Sequence, residues 1–260
     1  MPEGDTLYRI AVRARELFLA QLVVEFHSST PAVDGALLVG SRIQKCSSRG
    51  KHLLMEFDNG FVLHTHLGMN GRWRFAEGRR SLPVHRGPNR IMIHSDSATG
   101  WCFGAPVMEL LRITDVQRHP ILSALGMDVL DPDFRVAAVI DQFRSIRSVA
   151  PIGEALLDQR CCAGIGNVYK CEGLFLQGIH PMTSVVELSN ESLGLLLLEI
   201  RKWMFRNLGS GRRGTRWPGR GRHWVYERAG ERCLRCDGTI DRMMIGTPPR
   251  VTFFCPACQS

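Results

Sequence analysis

The segment Pro151-Ile-Gly-Glu-Ala-Leu-Leu-Asp-Gln-Arg-Cys-Cys-Ala-Gly-Ile-Gly-Asn-Val-Tyr-Lys170 carries the main indication of how the chain folds. It predicts the end of one helix, two tight turns and the start of a new helix. Gly164 and Gly166 allow close backbone approach in the turns, and Asn167 lies where the second helix begins. Amide groups at the start of a helix bind phosphate without sequence preference. A Gly-x-Gly-Asn pattern alone also fits other helix–turn–helix corners.

Two cysteine pairs near the C-terminus have the spacing of metal ligands. Cys233 and Cys236 form the first pair, Cys255 and Cys258 form the second, and eighteen residues separate the pairs. Four thiolates at this spacing predict a closed tetrahedral zinc site on a ribbon of two hairpins, which makes the metal structural. Unligated cysteines are one alternative, and an iron–sulfur cluster is another.

Arg250 stands on the hairpin 240–253 that such a zinc site would hold rigid. A guanidinium is always charged and binds phosphate oxygens in a bidentate way, so this position favours a phosphate clamp. A solvated surface arginine is the alternative.

The N-terminal residues Met1-Pro2-Glu3-Gly4-Asp5 place an acid beside a proline, which has a free secondary amine once Met1 is removed. An unprotonated amine can attack an electrophilic sugar carbon and form a Schiff base. The apolar residues between Leu7 and Phe18 have helical spacing, and the positive end of that helix dipole would disfavour protonation of the amine. An ordinary exposed N-terminus is the alternative.

The chain changes character along its length, which predicts an α+β protein. After the first helix, short runs rich in β-branched and aromatic residues predict an antiparallel β-sandwich with strands at 22–27, 42–47, 52–57, 61–67, 73–75 and 91–95. From about residue 115 helical spacing dominates, with helices predicted around 134–140 and at 193–205. The arginine- and glycine-rich segment 209–222 predicts a mobile loop.

Composition and charge restrict the classes of function. Lysine and arginine number 33 against 25 acidic residues, and this net charge of +8 favours a polyanionic partner. With nine cysteines and no secretory signal, a disulfide framework is not expected, and burial is expected for Cys46, Cys102, Cys161, Cys162 and Cys171. No apolar stretch has the length of a membrane span, so a cytoplasmic location, in a bacterial cytosol or nucleoid, is expected.

His64 and His66 lie two residues apart and would share one face of a strand. Packing or hydrogen bonding explains most such pairs. A second metal site is the alternative.

Three motifs occur in order along the chain: Pro2-Glu3-Gly4, the segment 156–167, and Arg250 followed by Phe254-Cys255-x-x-Cys258-Gln259. In this combination the chain resembles the formamidopyrimidine-DNA glycosylase/endonuclease VIII family of base-excision repair enzymes over essentially its whole length. The resemblance implies an N-terminal catalytic helix and antiparallel β-sandwich over 1–115. It further implies a helical helix–two-turn–helix DNA-binding domain with the mobile loop over 116–222, and a zinc ribbon over 223–260.

The resemblance also implies roles for matching residues. Pro2 matches the nucleophile that attacks C1′ of the damaged nucleotide, and Glu3 matches the acid that assists sugar-ring opening and proton shuttling. Lys51 matches a lysine that contacts a phosphate beside the lesion and aids elimination. Asn167 and Arg250 match phosphate clamps that hold the kinked DNA backbone. Arg250 is also expected to be one of the catalytic residues, with Pro2, Glu3 and Lys51.

Met69, in the loop after a predicted strand, lies where the family places a side chain that fills the space left by the extruded base. A core methionine is the alternative for Met69, as an ordinary solvated lysine is for Lys51. The resemblance also places Gly153 at a position where many members of the family have a DNA-contacting lysine.

Two departures point toward endonuclease VIII. Purine-lesion members carry an Arg-Arg-Phe-Gly segment, whereas the matching stretch 99–105 has no arginine. The start Pro-Glu-Gly, in place of Pro-Glu-Leu, points the same way. Oxidised pyrimidines are therefore the expected lesions.

The resemblance thus implies a bifunctional DNA glycosylase and abasic-site lyase that acts through a Schiff base at Pro2 followed by β,δ-elimination. Its partner would be damaged DNA, double-stranded or with single-stranded character, and the protein would be a monomer with one structural zinc ion and no small-molecule cofactor. The alternatives are an 8-oxoguanine- and formamidopyrimidine-preferring enzyme of the same family and a non-catalytic damaged-DNA-binding protein.

Overall fold

The computed structural model describes residues 2–80, 90–209, 211–216 and 221–260. Two compact units divide the chain, Met1–Ala124 and Leu125–Ser260. Met1 lies outside the described residues, and so do Ser210 and 217–220 within the arginine- and glycine-rich segment. Mobility of 209–222 and removal of Met1 therefore stay predictions.

The first unit begins with helix α1 (Gly4–Phe18) and continues with eight strands. The strands are β1 (Val23–Ser28), β2 (Ile43–Arg49), β3 (His52–Phe57), β4 (Phe61–His66), β5 (Arg72–Glu77), β6 (Arg90–Ser95), β7 (Ala98–Phe103) and β8 (Val107–Arg112). They form two four-stranded antiparallel sheets, in the orders β1-β6-β7-β5 and β2-β3-β4-β8. Two short helices end the unit, α2 (Ile113–Val116) and α3 (Pro120–Ala124).

One hydrophobic core joins α1 to both sheets. The buried residues Leu7, Ala11, Ala14 and Phe18 recur at helical spacing, so α1 presents one apolar face. That face packs in the same cluster as strand residues from each sheet, among them Leu53 and Ile93. The predicted N-terminal helix with antiparallel sheets is confirmed.

Strands β7 and β8 were not predicted from the sequence. Gly100 lies in the middle of β7, where a glycine favours a turn over a strand. The structure uses its small size, because a Cβ at Gly100 would lie 3.1 Å from the Ile93 side chain and 3.2 Å from the Phe75 ring. Strand β8 has no alternation of apolar and polar residues, and its pairing with β4 makes it a strand.

The described part of the second unit contains four α-helices and one β-hairpin. The helices are α4 (Val136–Arg147), α5 (Ile152–Ala155), α6 (Asn167–Gln177) and α7 (Asn190–Arg206), and the hairpin pairs β9 (Asp241–Ile245) with β10 (Arg250–Phe254). Helix α7 begins earlier than predicted because Ser189 caps it, accepting a hydrogen bond from the backbone N–H of Ser192. Phe143, Leu174 and Leu196 lie together in the core of these helices.

Two further expectations concern burial and membrane spans. The five cysteines outside the C-terminal pairs are all buried, as predicted. Among the described helices, none is long and apolar enough to cross a membrane.

Candidate active site and metal centre

The N-terminus of α1 holds the first two candidate residues. Glu3 is the N-cap, and its carbonyl oxygen accepts hydrogen bonds from the backbone N–H groups of Thr6 at 2.9 Å and Leu7 at 3.2 Å. Glu3 is fully buried, whereas Pro2 is only partly buried. Pro2 thus lies directly before the positive end of a 15-residue helix, which would disfavour a positive charge on its amine once Met1 is removed. The neutral amine is the form that can act as a nucleophile.

Lys51 and Met69 lie on turns of the β2-β3-β4-β8 sheet. Arg49 pairs with His52, so Gly50 and Lys51 form the two-residue turn between β2 and β3, and Gly50 has the left-handed φ of 57° that such turns favour. Met69 follows β4 and is 60% exposed. A core role for Met69 is therefore excluded, and its role as a wedge stays a prediction.

The segment between α5 and α6 forms tight turns held by one side chain. Gln159 Nε2 donates to the carbonyl oxygens of Leu157 at 2.9 Å and Ile165 at 3.0 Å, while its Oε1 accepts from the N–H of Gly164 at 3.0 Å. Gly164 has a φ of 101°, a conformation that strains residues with a side chain. These contacts explain why the motif combines a glutamine with a glycine five residues later.

Asn167 and Arg250 are brought together where α6 meets the hairpin. Asn167 is the first residue of α6, and its Nδ2 donates to the carbonyl oxygen of Val251 at 2.8 Å. Lys170 adds a second contact between the same elements, with its Nζ donating to Thr252 Oγ1 at 2.7 Å. Arg250 begins β10 directly before Val251, so its backbone lies close to the N-terminus of α6. A guanidinium near the N-terminus of a helix would suit a phosphate group.

Glu172 has a structural role that local sequence patterns did not predict. Its buried carboxylate accepts hydrogen bonds from the Thr215 hydroxyl and from the backbone N–H groups of Trp224 at 2.8 Å, Val225 at 2.9 Å and Tyr226 at 2.8 Å. It therefore anchors residues on either side of 217–220 to α6. The sign of this role in the sequence is that Glu172 is the one acidic residue in the largely apolar helical segment 167–177.

The four paired cysteines form one cluster at the ends of the hairpin. Their Sγ atoms all lie within 4.8 Å of one another, with Cys233 and Cys258 separated by 3.8 Å and Cys236 and Cys255 by 3.5 Å. A Zn–S bond of about 2.3 Å places neighbouring sulfurs about 3.8 Å apart in a tetrahedral site. The cluster therefore fits a metal ion of this size.

Comparison with known families agrees with this arrangement. The formamidopyrimidine-DNA glycosylase N-terminal domain matches residues 1–106, and the formamidopyrimidine-DNA glycosylase H2TH domain matches residues 125–218. A probable endonuclease 8 2 of Streptomyces coelicolor is 35% identical over 266 residues, which cover 100% of this chain and 94% of that protein. The chain belongs to the formamidopyrimidine-DNA glycosylase/endonuclease VIII family.

Further relatives agree with this assignment. The DNA-(apurinic or apyrimidinic site) lyase Nei2 of Mycolicibacterium smegmatis is 32% identical and covers 100% of this chain and 99% of its own length. A crystal structure of Lactococcus lactis Fpg in complex with DNA containing N7-benzyl-Fapy-dG has a TM-score of 0.84 at 25% identity, with 100% of both chains covered. The protein is accordingly a DNA glycosylase and abasic-site lyase of base excision repair.

The stretch 99–105 and Gly153, where the resemblance predicts departures from the family pattern, both lie in packed surroundings. The stretch 99–105 includes the end of β7, where Trp101 and Phe103 are buried together with Met92. At Gly153 a Cβ would lie 2.9 Å from the carbonyl oxygen of Pro181. The backbone of α5 therefore has no room for a lysine side chain at this position.

Replacing Asp158 with asparagine is expected to lower the free energy of unfolding by about 2 kcal/mol near neutral pH. Arg160 and Arg147 donate to this carboxylate at 2.9 Å and 2.7 Å, and they hold its pKa far below the usual 3.8. A carboxyl whose pKa falls on folding stabilises the protein above its unfolded pKa, and this stabilisation declines gradually as the pH falls from about 4 towards the much lower folded pKa. Urea unfolding should therefore separate D158N from wild type most at about pH 7, and the difference should shrink steadily below about pH 4. A difference that stays constant as the pH is lowered towards about 2 would contradict this explanation.

Proposed function

We propose that the protein is a bifunctional glycosylase and lyase that removes oxidised bases, with pyrimidines preferred, through a Schiff base at Pro2 followed by β,δ-elimination. The observation that carries this proposal is the N-terminus of α1, where the Pro2 amine lies before the positive end of a helix and beside the fully buried Glu3. That environment favours a neutral, nucleophilic amine.

In the proposed reaction the lone pair of the Pro2 nitrogen attacks C1′, the damaged base leaves with the electrons of its glycosidic bond, and the proton lost from the Pro2 nitrogen balances the charge on the departing base. Glu3 delivers a proton to the sugar-ring oxygen as the C1′–O4′ bond breaks and the Pro2 lone pair forms the C=N bond, which leaves an iminium ion between Pro2 and the open sugar. The iminium ion acidifies the C2′–H bond, so loss of that proton expels the 3′ phosphate, and loss of the C4′ proton from the conjugated product then expels the 5′ phosphate. Lys51 contacts a phosphate beside the lesion and aids these eliminations.

Phosphate clamps offset the cost of extruding a base from the stack, which is a few kcal/mol. Asn167 and Arg250, which both belong to the second unit, would bind the phosphates of the DNA backbone. The hydrogen bond between Asn167 and Val251 supports this role, because it holds the two residues near each other. Exposed Met69 would enter the vacated space. One zinc ion on the four cysteines would hold the β9–β10 hairpin that carries Arg250, and no small-molecule cofactor is needed.

Two observations favour pyrimidine lesions. The stretch 99–105 has no arginine to enter the gap opposite the extruded base, and Phe103 is only 4% exposed.

A lesion panel tests the substrate. Duplexes with thymine glycol, 5-hydroxycytosine or 8-oxoguanine, and single strands with the same lesions, are incubated with the protein under single-turnover conditions. Faster excision of the two pyrimidine lesions is expected. Dominant excision of 8-oxoguanine would assign a purine-preferring enzyme, and binding with no excision or strand cleavage on any substrate would assign a non-catalytic damage-binding protein.

A further inference from the structure

A buried cluster of histidines lies in the first unit, next to the Lys51 turn. Strand register brings its members to one face of the β2-β3-β4-β8 sheet, since His52 pairs with His66 across β3 and β4, and His64 pairs with Glu109 across β4 and β8. His119 joins them from the residue before α3. His64 is fully buried and His52 is 5% exposed.

Three short contacts connect the cluster into a chain. His52 Nδ1 lies 2.8 Å from His64 Nε2, and His64 Nδ1 lies 2.7 Å from Glu109 Oε1. His119 Nε2 approaches the same carboxylate oxygen at 2.9 Å. Each of these distances is that of a hydrogen bond.

The direction of each hydrogen bond follows from its neighbours. A carboxylate only accepts, so His64 carries its proton on Nδ1 and has a lone pair on Nε2. His52 must therefore donate from Nδ1 to that lone pair. The backbone N–H of Leu122 donates to His119 Nδ1 at 3.2 Å, which leaves the proton of His119 on Nε2, where it donates to Glu109. Every proton in the chain points toward Glu109.

Metal ligation by the same atoms is the competing explanation. His64 Nδ1, His119 Nε2 and Glu109 Oε1 lie within 4.8 Å of one another, and two imidazoles with a carboxylate suit zinc or iron. Ligation through Nε2 would require the His119 proton on Nδ1, where it would face the Leu122 N–H, another donor. Ligands that share a zinc ion at about 2.1 Å would also lie about 3.4 Å apart, farther than the two nitrogen–oxygen distances here. The geometry therefore favours protons over a metal ion.

The chain ends beside Lys51. His52 directly follows Lys51 and closes the β2–β3 hairpin by pairing with Arg49. Burial is the main cause that lowers the pKa of His52 to about 3, and the charges of His64, His66, His119 and Lys51 contribute to the shift. Burial also lowers the pKa of His66, and the charge of Lys51 adds to that effect. Both histidines are therefore neutral near neutral pH, so neither ring adds a positive charge close to Lys51.

We propose that Glu109, His64 and His52 form a directed hydrogen-bond relay whose members are positioning residues for Lys51. The relay ties the Lys51 turn to the two inner strands and to β8, and it places one carboxylate charge behind neutral rings. This proposal rests on the proposed role of Lys51 in elimination. It adds three residues that act on the reaction only through Lys51.

The test compares E109Q and H64Q with H94Q as a matched control. His94 is also a buried histidine, 3% exposed and hydrogen-bonded to Thr99, but it lies in the other sheet. A glutamine at 109 keeps the shape and an acceptor oxygen but removes the negative charge, so the hydrogen bonds from His64 and His119 lose their charge assistance. The single-turnover rate of abasic-site cleavage should fall about tenfold in E109Q and H64Q and stay near wild type in H94Q.

Repeating each substitution in a K51A background separates positioning from general damage. If the relay acts through Lys51, E109Q should change the rate of K51A by less than about twofold, whereas independent effects would multiply. A tenfold loss in both backgrounds would overturn the proposal. Absence of cleavage by wild type would instead refute the proposed function, without bearing on the relay.

Nitrogen-15 NMR of histidine-labelled wild type tests the geometry even if a variant fails to fold. Protons on Nδ1 of His52 and His64 and on Nε2 of His119 are expected. The opposite tautomers would overturn the relay. So would metal analysis that finds two zinc ions per chain in wild type and one in E109Q.

Discussion

Retention of Met1 will abolish the covalent chemistry and leave DNA binding intact. With Met1 attached, the Pro2 nitrogen is part of a tertiary amide and has no usable lone pair, so no Schiff base can form at it. We expect the single-turnover rate of abasic-site cleavage to fall by at least about 10³-fold, since the nucleophile acts as an essential member of the catalytic set. The measurement is borohydride trapping on an abasic-site duplex, followed by intact-protein mass spectrometry of processed and unprocessed preparations.

The control for this experiment is E3Q, made in processed protein. It keeps the Pro2 amine and the N-cap backbone of α1 but removes the acid that protonates the ring oxygen. We expect it to bind the duplex as wild type does and to trap far more slowly. A cross-link that forms at the wild-type rate when Met1 is retained would assign the nucleophile to another amine, such as that of Lys51, and would end the role proposed for Pro2.

Local sequence patterns predicted the parts of the site that depend on neighbours in the chain. The Gly-x-Gly-Asn pattern placed Asn167 at a helix start, which is confirmed. The two cysteine pairs predicted a four-sulfur cluster, and their Sγ atoms do lie together. In both cases the residues that matter are fixed by a turn or a hairpin, so spacing along the chain is enough.

Contacts between distant segments could not be predicted in the same way. Glu172 binds backbone groups 52 to 54 residues away, and His64 meets Glu109 45 residues away through strand register. A one-residue change of register would turn Glu109 to the other face of the sheet, and no short pattern specifies that register. The missed strand β8 is the one that supplies Glu109, so the relay could not be derived from the sequence.

Removal of the metal from the four-cysteine cluster will weaken DNA binding by at least about tenfold, because a lost charge-assisted contact to phosphate costs about 1.5–3 kcal/mol. Apart from the metal cluster, the hairpin is held by the two hydrogen bonds from α6 and by a small core. Its small core contains Phe175, Val225 and Ile240 together with the thiols of Cys171, Cys233 and Cys255, two of which are candidate ligands. Without the metal the hairpin loosens, and Arg250 and the Asn167–Val251 contact lose their positions.

The measurements are metal content, which should be one zinc ion per chain, and the dissociation constant for an abasic-site analogue duplex by fluorescence anisotropy. C255S should lose the metal and bind weakly, as should wild type treated with a chelator. C162A is the matched control, since Cys162 is a buried thiol of the same unit outside the cluster, and it should keep both zinc and affinity. If metal-free protein binds the duplex as tightly as the zinc-loaded form, the cluster does not position Arg250, and the clamp must be held by the contacts of α6 with β10 alone.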